Sequence, residues 1–183
     1  MKKQKALLVI DMQKGCFTPQ TPRFDAVGLI DRINSLAAIF RRAGYPIIFI
    51  QHDGTREHEL IPNTEAWELL SELDKQPGDM VISKTANDAF YRTELSSELH
   101  TQGISELFIT GCATDFCVEA TVQSALTKDY TVTVVEDGHT TAPRPHLDAE
   151  QLITHYNWVW KQLTPTQGSI KVLPVEQIKI AIG

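Results

Sequence analysis

The chain has 183 residues, 42% of them hydrophobic and 22% charged, with a formal net charge of −6. That length suits one domain over residues 1–183, able to bury a core without disulfides or a structural metal. The acidic balance argues against a nucleic-acid partner, and the five apolar residues before Asp11 are too few for a signal-peptide core or a membrane span, so a cytoplasmic protein with a solvated MKKQK start is expected.

From the N-terminus, residues 6–10 are apolar throughout, the mark of a strand buried on both faces of a parallel sheet. Asp11 and Gln13 follow it. Over 26–43, Val27, Ile30, Ile33, Leu36, Ala37 and Phe40 recur at steps of three and four, which predicts a helix with one apolar face. Gly44 and Pro46 end it. A second strand is predicted over 47–51, delivering His52 and Asp53, then a polar loop to residue 63. A helix is predicted over 64–73, with Trp67 and Leu70 as packing residues. A third strand, 80–83, delivers Lys84 and Asn87, and a helix follows over 93–101. The fourth strand, 107–110, runs through Gly111 into a helix over 114–127. Thr114 and Asp115 are expected to cap that helix, with Cys117 in its first turn. The fifth strand, 131–135, leads to Glu136, Asp137 and His139, around a turn at Gly138. A last helix is predicted over 147–163 and a sixth strand over 170–173.

This alternation predicts an α/β fold of three layers, Rossmann-like, with about six parallel strands and helices on both faces. Such sheets bind ligands at the carboxyl ends of their strands. Those ends collect an acid, Asp11, a base, Lys84, a thiol, Cys117, and the histidines His52 and His139. The free N–H groups and dipole at a helix start favour a thiolate at Cys117 and could hold an oxyanion. Cys16, Cys112 and Cys117 show no framework or CxxC spacing, which suits reduced thiols and argues against a zinc ribbon. DMQKG after the first strand is no phosphate-binding loop, which weakens a nucleotide-dependent reading.

The motifs VIDMQ (9–13), SKTANDAFYRTEL (83–95) and GCATDFCVEATVQSAL (111–126) resemble, in order and context, those of the isochorismatase-like cysteine hydrolases. The resemblance spans nearly the whole chain. It implies a catalytic triad of Asp11, Lys84 and Cys117, and a cis peptide at Cys112–Ala113. The chemistry is consistent with those roles. Cys117 would attack an amide or carbamoyl carbon, and Asp11 would carry the proton. Lys84 would hold the carboxylate and lower the thiol pKa. The backbone N–H groups of Ala113 and Cys117 would hold the oxyanion.

The expected function is a cysteine-dependent amidohydrolase. It would cleave the C–N bond of a small amide, ureido or carbamoyl compound through a thioester, without a cofactor. Nicotinamidases of the family bind a metal through an Asp-x-His pair and further histidines. Here the aspartate position is Ile50, and His52 with His58 alone make a poor divalent site, so no metal is expected. His52 is expected in the substrate pocket instead, with Gln13, Phe17 and Phe90 as further substrate-binding candidates. Two alternatives stand beside this: a catalytically silent oligomeric binding protein, and an isochorismatase-type ether hydrolase. The ether hydrolases typically lack the nucleophilic cysteine. Family members commonly form homo-oligomers, and the resemblance extends this to the present chain. Tyr156, Trp158 and Trp160 cannot share one narrow helical face, so at least one should meet another subunit or cover the pocket.

Overall fold

The computed structural model describes residues 4–182, so the basic start at 1–3 lies outside the described residues. In chain order the main elements are β1 (Gln4–Ile10), α1 (Ala26–Arg42), β2 (Ile47–His52), β3 (Met80–Lys84), α2 (Leu95–Thr101), β4 (Ile104–Cys112), α3 (Glu119–Thr127), β5 (Thr131–Thr140), α4 (Ala149–Gln162), β6 (Ile170–Leu173) and α5 (Val175–Ile182). One turn of π-helix, Thr114–Val118, joins β4 to α3.

All six strands are parallel, in the order β3-β2-β1-β4-β5-β6. The chain moves outward from β1 to β3, then returns to the far side of β1 and moves outward again. That reversal opens a crevice between the carboxyl ends of β1 and β4, where ligands of such sheets bind. Alternate side chains of the strands point to opposite faces. Leu8, Ile10, Ile48 and Ile50 pack with Leu99, Val122 and Trp160 of α2, α3 and α4. Leu7, Val9, Ile47 and Phe49 pack with Ile33, Phe40 and Ile178 of α1 and α5. The central strand is therefore apolar on both faces, and each fully buried Leu or Ile contributes roughly 1.5–3 kcal/mol.

β1 and β4 approach closely at the crevice. Ile10 pairs with Gly111, whose φ is +119°. A Cβ on Gly111 would lie 2.1 Å from the Ile10 carbonyl oxygen, so no side chain fits there.

Three expectations need correction. The predicted helix over 64–73 is absent; only a single 3-10 turn, Glu65–Trp67, forms there. Its backbone is claimed by the strand ends instead. The carboxamides of Gln13 and Gln51 each donate to the Trp67 carbonyl at 2.9 Å, and Leu70 N–H donates to the Met12 carbonyl at 3.0 Å. A carbonyl held from the side in this way cannot continue a helical ladder. The fifth strand runs to Thr140, so Asp137 and His139 belong to β5 and not to a turn. The C-terminal α5 was not expected; Pro174 precedes it and the Asp137 carboxylate accepts from Val175 N–H at 2.9 Å.

Candidate active site

Asp11 is the first residue beyond β1. Its φ of +48° lies in the left-handed region, which aspartate tolerates better than most residues. Its N–H still donates to the Ile50 carbonyl at 2.9 Å, so the turn is anchored to β2. Lys84 ends β3, two strands away. Both side chains reach the same point: Lys84 Nζ lies 2.7 Å from Asp11 Oδ2. Asp11 is 3% exposed and Lys84 1%, so this is a buried ion pair, strongly destabilising to break from one side only. Burial disfavours the Lys84 charge, but Asp11 and Cys117 outweigh it and the lysine pKa is raised.

The ammonium donates to two further groups, the Ala86 carbonyl at 2.9 Å and Cys117 Sγ at 3.2 Å. Lys84 thus touches the acid and the thiol together. His52 Nδ1 lies 3.3 Å from the same ammonium. An ammonium only donates, so that nitrogen carries the lone pair of a neutral imidazole. Burial and the Lys84 charge lower the His52 pKa accordingly. Ile50 is fully buried core, and among the described residues no three His, Cys, Asp or Glu side chains converge as metal ligands. A divalent cation beside this ammonium does not fit.

Cys117 sits in the π-turn, not in an ordinary first helical turn. The Ala113 carbonyl accepts from Phe116 and Val118 N–H groups, 3.1 Å each. The Cys112–Ala113 peptide is cis. The thiol contrasts with the expectation from the helix dipole. Burial first, and then the Asp11 carboxylate, push its pKa well up, against the lowering by Lys84. The resting group is a thiol, with Asn87 Oδ1 3.6 Å from its sulfur. Asp11 Oδ1 is buried with no hydrogen-bond partner among the described residues, a free acceptor beside it.

Thr114 and Asp115 do not cap the helix; no side chain does. Thr114 Oγ1 reaches His139 Nδ1 at 2.9 Å. Asp115 takes a two-pronged contact from Arg144, at 2.7 and 2.9 Å, and one from Thr141 at 2.6 Å. These bonds outweigh burial and lower the Asp115 pKa.

A cavity of ≈ 250 Å³ lies over this centre. Asp11, His52, Asn87, Ala113 and Cys117 line it, with Cys16, Arg23, Leu60, Cys112, Phe116 and Arg144 completing the wall. The last six were not named as site residues from the sequence. Arg23 and Leu60 stand in loops, where no periodic pattern points to a site.

The sequence model described as Isochorismatase domain matches residues 5–160. The chain belongs to the isochorismatase family. A solved isochorismatase family protein is 34% identical to it, with a TM-score of 0.85, covering 94% of this chain and 99% of that one. A solved isochorismatase-family protein from Chromobacterium violaceum is 28% identical, with a TM-score of 0.86 over 100% of this chain and 95% of the other. Streptothricin hydrolase from Streptomyces noursei is 33% identical over 77% of this chain, and this chain spans about half of that protein, 51%. Ureidoacrylate amidohydrolase from Variovorax paradoxus is 30% identical over 72% of this chain and 67% of its own length.

In this isochorismatase-family chain the remaining site candidates fall away from the cavity. Gln13 spends its carboxamide on backbone: it donates to the His52 and Trp67 carbonyls at 3.1 and 2.9 Å and accepts from His52 N–H at 2.8 Å. It clamps the loop and leaves no group for a ligand. Phe17 is partly buried against the second core half. Phe90 is core as well, stacked on Tyr130 at 5.7 Å between ring centres. Of the α4 aromatics, Trp160 is buried, Tyr156 packs beside it, and Trp158 is 61% exposed. None of them covers the cavity. Among the described residues no helix is long and apolar enough to cross a membrane.

Proposed function

We propose that the protein is a cysteine-dependent amidohydrolase that cleaves the C–N bond of a small amide, ureido or carbamoyl compound. The observation that carries this reading is the single ammonium, Lys84 Nζ, held 2.7 Å from Asp11 Oδ2 and 3.2 Å from Cys117 Sγ, two residues that line one cavity. The names of two relatives, streptothricin hydrolase and ureidoacrylate amidohydrolase, support the same class.

Cys117 Sγ attacks the carbonyl carbon while its proton passes to Asp11. The backbone N–H groups of Ala113 and Cys117 receive the oxyanion. Asp11 returns the proton to the departing nitrogen as the C–N bond breaks, which leaves a thioester, or a thiocarbamate from a ureide, and releases an amine or ammonia. Asp11 then takes a proton from water, whose oxygen attacks the thioester. The acid leaves, and the sulfur recovers its proton. Lys84 stays charged throughout and balances the Asp11 charge between proton transfers.

Ammonia release from a panel of primary amides, ureido acids and carbamoyl compounds tests this reading, beside Cys117→Ala. Release from at least one compound is expected, with a loss of about 10³-fold or more in the variant. Turnover that survives Cys117→Ala would overturn it.

A further inference from the structure

The charged groups around the cavity pair off, with one exception. Asp11 is matched by Lys84 at 2.7 Å, and Arg144 by Asp115 at 2.7 Å. Arg23 has no acidic partner among the described residues. Its one hydrogen bond among the described residues, Nε to the Cys16 carbonyl at 2.6 Å, leaves both terminal nitrogens without a partner there. The bond anchors the guanidinium at Nε. The next residue is tied down too: Phe24 N–H donates to the Thr141 carbonyl at 3.1 Å, and its carbonyl accepts from Thr140 Oγ1 at 2.7 Å. A guanidinium held by Nε, with its terminal nitrogens free at a cavity wall, is a preformed receptor for a carboxylate.

We propose that Arg23 docks a carboxylate of the substrate, so that the compounds cleaved are amides or ureides that also carry an acid group. This rests on the amidohydrolase reading and narrows it. With Arg23 unmatched, the cavity carries one net positive charge. His52 adds none at neutral pH, because burial and Lys84 lower its pKa. Arg23, Cys16 and Leu60 also line a neighbouring cavity of ≈ 410 Å³, so the guanidinium stands where a substrate longer than the cavity at Cys117 would continue. Glu59 lines that second cavity but makes no ion pair with Arg23. A cationic amide would meet the guanidinium directly and be disfavoured.

The test uses two ureides of similar size, N-carbamoylglycine and the neutral hydroxyethylurea, on the wild type, Arg23→Gln and Arg23→Lys. Alkylation of Cys117 by iodoacetamide, followed by peptide mass, reads occupancy without requiring turnover. N-carbamoylglycine is expected to slow alkylation of the wild type at concentrations where hydroxyethylurea does not. Arg23→Gln should lose that protection by about tenfold or more, and Arg23→Lys should retain part of it. If N-carbamoylglycine is turned over, its KM should rise by a similar factor in Arg23→Gln, with kcat changed much less. Equal protection by the two ureides, or protection unchanged in Arg23→Gln, overturns the proposal. An enzyme that cleaves neutral amides as readily as acidic ones would sink this inference while leaving the amidohydrolase standing. Selective protection with no cleavage of any amide would do the reverse.

Discussion

At Cys117 two neighbours act in opposite directions on one proton. Lys84 draws the sulfur towards a thiolate; burial and Asp11 hold it as a thiol, and they win. This separates thiolate content from catalysis. In Asp11→Asn the carboxylate is gone while the ammonium stays, so the thiolate fraction at neutral pH should rise as turnover falls by about 10²–10⁴-fold. Thiolate absorbance against pH measures the first quantity, and ammonia release the second. A Cys117 pKa that is unchanged or higher in Asp11→Asn would show that the carboxylate does not hold the proton. That Asp11, Lys84 and Cys117 gather at one sheet edge was legible in the sequence because each lies at or shortly after the end of a predicted strand, whereas the roles expected of them came from the family resemblance. The direction of the Cys117 shift was not legible, because the dipole at a helix start is visible in a sequence and the depth of burial is not. Arg23 escaped for a different reason. It lies in a loop between Cys16 and α1, and only the folded chain shows that it faces the same cavity as residues 94 positions later.

Elements near the site are held by polar side chains acting on backbone, which no hydrophobic period reveals. Gln13 and Gln51 turn 64–73 from a plausible amphipathic helix into an extended rim, so that misreading has a local cause. The strands and the long helices α1, α3 and α4 were legible because their apolar faces are long and regular. Behind the π-turn lies a buried chain of side chains. Asn157 Nδ2 donates to the Glu136 carbonyl at 2.9 Å, so its Oδ1 is the atom 3.1 Å from His139 Nε2, which must carry a hydrogen. His139 Nδ1 then accepts from the Thr114 hydroxyl. The imidazole is neutral, and burial lowers its pKa from 6.5 to about 4. The folded form thus resists a proton that the unfolded chain accepts. Its stability is complete above pH 6.5 and declines as pH falls towards about 4, by roughly 3 kcal/mol from this one group. Chemical denaturation between those limits should show a shallower loss in His139→Gln than in the wild type. Parallel losses in the two proteins would remove His139 as the cause.

Across the whole molecule, the three residues proposed for the chemistry are drawn from strands that are far apart in sequence and unequal in their support. Asp11 and Cys117 flank the centre, where β1 and β4 are paired on both sides. Lys84 closes β3, which has a sheet neighbour only in β2. An edge strand is ordinarily among the first parts of a sheet to open. Here opening would withdraw the ammonium and strand a buried carboxylate, which costs about 3–5 kcal/mol. The ion pair therefore acts as a latch on the margin of the sheet, beside the part proposed for it in the chemistry. Amide hydrogens of β3 should exchange with solvent nearly as slowly as those of β4. In Lys84→Met, where the side-chain link from the edge to the centre is lost, β3 should exchange much faster while β4 keeps pace with global unfolding. The reactive centre would then report on the integrity of the sheet itself: a molecule whose margin has come loose is also one that has lost its chemistry.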